Sequence, residues 1–90
     1  MTDQDIIRTL KRAGFAIVSN NSLGAGEREI TAVRRDTLNV VGAQVTVTTP
    51  TVYLPPEGYE QETFADVKVQ GRKTERWWGW NDIAERIGRI

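Results

Sequence analysis

The stretch TERWWGWND, Thr74 to Asp82, decides how this chain folds, because it contains all three tryptophans of the protein. Read as a strand from Thr74 to Trp80, it puts Arg76, Trp78 and Trp80 on one face and Trp77 on the other, since side chains alternate along a strand. Upstream, Phe64 to Gln70 alternates with Ala65, Val67 and Val69 facing together, and Gly71-Arg72 marks a hairpin between the two segments. Downstream, Asp82 reads as the cap of a short final helix, with Glu85 at the box position and Ile83, Ile87 and Ile90 on its apolar face.

At 90 residues the chain is a single domain, 1–90. A domain of this size buries only roughly 60–65% of its unfolded surface, so its core is thin. A thin domain built on one sheet has one core side. Indoles pointing both ways from one ribbon therefore predict that at least one tryptophan is partly exposed. Two arrangements satisfy this. In one, Trp78 and Trp80 close the core and Trp77 lies beneath Arg or Lys stems. In the other, the tryptophans and Arg76 form a recognition patch, these being the residue types that most often carry binding energy at interfaces.

The rest of the chain supplies a helix and more strands. Thr2 and Asp5 make a capping-box start, and Ile6, Ile7, Leu10 and Ala13 form one apolar stripe. Lys11 and Arg12 complement the dipole of the last turn, and Gly14 is placed as the C-cap glycine. Phe15 to Val18 reads as a short buried strand and Asn20 to Gly26 as loop. Glu29 to Arg35 alternates, with Ile30 and Ala32 opposed to Thr31 and Val33. After a turn at Arg34 to Thr37, the Val- and Thr-rich run Leu38 to Thr49 suits a long strand. Gly42 suggests a bulge or close approach within it, and Pro50 an end. The expected fold is α+β: an N-terminal helix, a mostly antiparallel sheet of about four to five strands and a short C-terminal helix, arranged as a two-layer sandwich.

Composition narrows function chiefly by exclusion. With no cysteine and no histidine, the chain lacks disulfides, thiolate nucleophiles, the commonest general base and the commonest transition-metal ligand. Ser19 and Ser22 have no histidine to activate them. Gly24-Ala25-Gly26-Glu27 lacks the Lys-Ser/Thr of a phosphate-binding loop. The carboxylates Glu57, Glu60 and Glu62 match no ion-loop spacing. The expectation is a non-enzymatic protein with no catalytic residues, no metal and no cofactor. No apolar run approaches a membrane span, and Thr2-Asp3-Gln4-Asp5 is acidic where a signal peptide is basic, so a cytoplasmic location is expected.

Net charge is zero but unevenly spread. Residues 50–66 carry Glu57, Glu60, Glu62 and Asp66 and no basic residue, whereas residues 67–90 are predominantly basic. Lys68, Arg72, Lys73 and Arg76 gather around the hairpin. Basic hairpins with indoles can track phosphates and stack on bases; equally, such charges protect a sheet edge from aggregation.

The opening segment Ile6-Ile7-Arg8-Thr9-Leu10-Lys11-Arg12-Ala13-Gly14-Phe15, running into Val18, resembles the first helix and strand of HicA-type toxins, small ribonucleases with a double-stranded-RNA-binding-like fold. That family places a Gly-Ser-His segment after the first strand, where this chain has Asn20-Asn21-Ser22-Leu23-Gly24 and no histidine. The resemblance implies fold and RNA affinity but not the activity.

The leading expectation is a small protein-binding module, an adaptor or inhibitor of the kind phages, other mobile elements and bacteria encode as short free-standing chains. It would present Arg76, Trp77, Trp78 and Trp80, with Tyr53 and Tyr59, to a protein partner or to a second copy of itself. The alternatives are nucleic-acid binding through Lys68, Arg72, Lys73 and Arg76, and a subunit of a larger assembly.

Overall fold

Helix α1 (Asp3–Arg12) begins at a complete capping box: the Thr2 hydroxyl accepts from the Asp5 amide, while the Asp5 carboxylate accepts from the Thr2 amide at 2.9 Å. Five strands follow, β1 (Ala16–Gly24), β2 (Glu27–Arg35), β3 (Val41–Thr49), β4 (Phe64–Val69) and β5 (Glu75–Trp78), and helix α2 (Trp80–Ile87) closes the chain. This computed structural model describes residues 2–24, 27–50 and 63–90. The strands form one antiparallel sheet in sequence order, β1-β2-β3-β4-β5. The α+β architecture is the expected one, with both helices on the same side of the sheet.

The core lies between that side and the helices. Ile30 and Ala32 of β2, Ala43, Val45 and Val47 of β3, Ala65 and Val67 of β4, and Trp77 of β5 meet Ile6 and Leu10 of α1 and Ile83 and Ile87 of α2. Register explains the grouping. Ala32 pairs Val45, Val45 pairs Val67, and Val47 pairs both Ile30 and Ala65, so one row of small and branched chains runs across the sheet. The alternate residues, among them Thr31, Gln44, Thr46, Thr48, Phe64, Asp66, Lys68, Arg76 and Trp78, occupy the opposite face, which neither helix covers.

Punctuation residues behave as their chemistry requires. Gly14 ends α1 at φ 87° and Gly71 turns the β4–β5 hairpin at φ 82°, a region L-residues rarely enter. Gly42 is the extra residue where Arg34 pairs Ala43 but Arg35 pairs Val41, which is the bulge its position suggested. The Thr31 and Thr46 hydroxyls share a hydrogen bond at 3.2 Å across β2 and β3 on the open face.

Several features differ from the sequence reading. β2 continues through Arg34 and Arg35, where a turn is expected, and β5 spans Glu75–Trp78 and not Thr74 to Trp80. Asn20 to Gly24 belongs to β1 and is not loop, because pairing with Glu27 to Ile30 outweighs the weak strand preference of Asn and Gly. β1 is an edge strand and not a buried one: Val18, at a register shift between Ile17 and Ser19, is 55% exposed. β3 starts at Val41 and not Leu38, since the Asp36 carboxylate accepts from the Leu38 and Val40 amides at 2.9 and 3.0 Å and folds residues 36–40 into a turn. The last helix begins at Trp80 and not at an Asp82 cap. Gly79, at φ 84°, breaks the strand, donates its amide to the Thr63 carbonyl at 2.8 Å and starts the helix without a side-chain cap. Asp82 then lies in the first turn, where its charge suits the dipole and pairs with Arg86 at 3.7 Å.

Candidate interaction face

The early break at Gly79 sets the fate of each tryptophan. Trp77 pairs Ala65 and points into the core, 4% exposed. Its indole N–H donates to the Glu75 carboxylate at 3.2 Å, and the Arg86 guanidinium lies 4.3 Å from its ring centre. A buried indole needs such an N–H partner, and Arg86 caps the one side the sheet leaves open. Trp80 has left the strand for the first turn of α2, where it packs half-buried against the core. Trp78 pairs Phe64 and stands on the open face, 53% exposed.

The expectation that at least one indole is partly exposed is met by Trp78. Of the first arrangement considered, Trp80 against the core and a guanidinium over Trp77 hold, but Trp77 fills the core and Trp78 does not close it. Trp77 is also withdrawn from any presented patch, because almost none of its surface reaches solvent. Tyr53 and Tyr59 lie outside the described residues, as do Glu57, Glu60 and Glu62.

Around Trp78 the open face carries an ordered aromatic and ionic group. Its ring centre is 5.2 Å from that of Phe64, with the planes tilted by 46°. Arg76, cross-strand from Asp66, donates through Nε and Nη2 to the two Asp66 oxygens at 2.8 and 3.1 Å. The same guanidinium lies 4.3 Å from the Phe64 ring centre and 5.8 Å from that of Trp78. Its hydrogen bonds to Asp66 raise the Arg76 pKa above its ordinary value. The fork-to-fork pair fixes the guanidinium, and the two tilted rings lie beside it. Sequence reading missed Phe64 and Asp66 as members of this group. The signal that finds them is the β4–β5 register, which follows once Gly71 is taken as the turn: Phe64 then opposes Trp78, and Asp66 opposes Arg76.

The basic hairpin expected from sequence divides in space. Arg76 is tied to Asp66 on the open face, whereas Lys68, Arg72 and Lys73 sit exposed around the hairpin turn, at the opposite end of β4 and β5 from Phe64 and Trp78. Beside Lys68 is a half-open depression of about 300 Å³ lined by Val41, Gly42, Ala43, Gln44, Lys68 and Gln70. Among the described residues no helix is long and apolar enough to cross a membrane. Compared with models of protein families, with curated proteins and with solved structures, the chain matches none.

Proposed function

We propose that this chain is a small non-enzymatic protein-binding module of the adaptor or inhibitor type, and that its contact surface is the open sheet face centred on Trp78, Phe64 and Arg76. The observation that supports this reading most is Trp78, more than half exposed on the face neither helix covers. An indole packed against Phe64 in a tilted contact, beside a guanidinium already held by Asp66, presents a rigid surface. Little side-chain freedom remains to be lost when a partner lands on it. Aromatic and Arg side chains are the usual anchors of such contacts, and a partner needs only to exclude water from around them. The absence of histidine and cysteine from the sequence supports the non-enzymatic part of the reading.

The partner is a protein that offers an apolar recess for Trp78 and acceptors for the remaining Arg76 donors. A photoreactive amino acid at position 78, introduced in the source cell and read by mass spectrometry, should give one recurrent protein adduct. Trp78→Ala and Phe64→Ala should abolish co-purification of that protein, each weakening binding by about 2 kcal/mol or more. Leu38→Ala, on the turn between β2 and β3, should leave it intact. Recovery of this chain itself as the adduct would make the face a self-association surface. An unchanged set of bound proteins in Trp78→Ala would overturn the reading.

A further inference from the structure

Five of the twelve lysines and arginines have a carboxylate partner among the described residues: Arg8 with Asp5, Arg28 with Asp3, Arg76 with Asp66, Arg86 with Asp82 and Arg89 with Glu85. The other seven, Lys11, Arg12, Arg34, Arg35, Lys68, Arg72 and Lys73, have none among the described residues, and the fold brings all seven to one end of the sheet. Three separate segments converge there. The end of α1 meets β2 where Arg34 Nη1 donates to the Ala13 carbonyl at 3.5 Å and the guanidinium lies 5.1 Å from the Phe15 ring centre. The β2–β3 turn starts at Arg35, which pairs Val41. The β4–β5 turn is tied to the same place, since the Gln70 amide donates to the Gly42 carbonyl at 2.8 Å and Lys68 pairs Gln44.

Two carboxylates of the described residues, Asp36 in the β2–β3 turn and Glu75 at the start of β5, lie at this end and keep their charge, but they are outnumbered by the seven cations, so the end stays strongly positive. We infer that this basic end is a binding surface for the phosphate backbone of nucleic acid, separate from the Trp78 face and independent of its role.

The match is one of charge density. From β2 to β5 the end is about 14 Å wide, three strand spacings. A nucleic-acid strand carries one charge per ~3.4 Å of helix axis, so about four phosphates fit across it. A second copy of this chain is a poorer match: its acidic stretch offers Glu57, Glu60 and Glu62, since the neighbouring Asp66 is held by Arg76, too few carboxylates for seven cations. An anionic lipid surface is also poorer. The turn offers it Leu38, 81% exposed, and the half-exposed Val40, too little apolar surface to anchor the domain. The contact is with phosphates and carries no base specificity.

Fluorescence anisotropy with a labelled single strand and a labelled duplex of random sequence tests this. With about four phosphates neutralised, raising salt from ~50 to ~200 mM should weaken binding roughly 50-fold for the single strand and about 150-fold for the duplex. Removing charge from any one segment, as Lys11→Ala with Arg12→Ala, Arg35→Ala, or Arg72→Ala with Lys73→Ala, should weaken binding several-fold and flatten the salt dependence. These side chains lie on the surface, and unchanged circular dichroism would confirm that the variants fold. Arg8→Ala and Arg89→Ala, which remove paired cations, and Trp78→Ala should bind like the wild type. No binding to either probe at ~50 mM salt would overturn the inference, as would binding indifferent to all three segment variants. Capture by phosphatidylserine vesicles with no oligonucleotide binding would overturn it in favour of a lipid surface.

Discussion

Trp77 and Trp78 are neighbours in sequence and opposites in circumstance. One is sealed between sheet and helices, with its N–H satisfied and a guanidinium as a lid; the other stands on the bare side of the same strand. The inner face of the sheet is populated by Ala, Val and Ile, with Trp77 as its one ring. The outer face, by contrast, carries threonines, a buttressed Arg-Asp pair and two rings in tilted contact. Burial makes the inner tryptophan a matter of stability. Exposure makes the outer one available for contact, and its neighbours hold it in place without hiding it.

The comparison breaks most readily at Trp77. Trp77→Ala should destabilise the domain by about 3–5 kcal/mol, from lost burial and the cavity left under α2, whereas Trp78→Ala should cost about 1 kcal/mol or less. Urea denaturation followed by circular dichroism measures both, and equal losses would mean that the two faces do not differ as described. A step smaller is the turn that sets which residue faces which way. Gly71→Ala meets nothing within 4 Å, so its cost is the backbone strain of φ 82° alone, about 1 kcal/mol.

Thr2→Ala removes the cap of the helix that covers the inner face and should likewise cost about 1 kcal/mol by thermal or urea unfolding. The same cap has a pH signature. The Thr2 amide and then its hydroxyl hold the Asp5 carboxyl below its ordinary value. Because the folded pKa is the lower one, the linked stability is present above the unfolded value of about 3.9 and is lost as pH falls through the folded value. Thr2→Ala removes the hydroxyl but keeps the amide, so it should flatten that part of the acid-unfolding curve only in part. Smallest of all is the outer-face ion pair. A double-mutant cycle of Arg76→Ala and Asp66→Ala should show weak coupling that shrinks further in salt, since both groups are wet. Acrylamide quenching sharpens the contrast without altering either tryptophan: with Trp80 changed to Phe, one emitting population should be accessible and one protected.

Much of the fold was legible because local rules and tertiary demand agree. The α1 capping box, the Gly14 stop, the alternation of β2 and β4, the Gly71 turn and the Gly42 bulge are each short-range signals that the packing has no reason to override. Legibility failed where pairing decided. Asn20 to Gly24 has loop chemistry, yet β2 supplies a ladder for it. Leu38 and Val40 have strand chemistry, yet the Asp36 side chain captures their amides. At the candidate face, Arg76 and Trp78 could be named from residue type, but Phe64 and Asp66 are ten or more residues away and join them only through register.

By itself, the sequence determined the inventory: an α+β alternation, a thin core, three indoles in one short stretch, no histidine or cysteine, and cations equal in number to carboxylates. Only the tertiary structure decided which indole is hidden, because that depends on where Gly79 turns the chain and on which side α2 returns. It alone also decided that the seven cations without carboxylate partners share one end. Charges from residue 11 to residue 73 become neighbours only when antiparallel pairing folds a linear separation into a few strand widths.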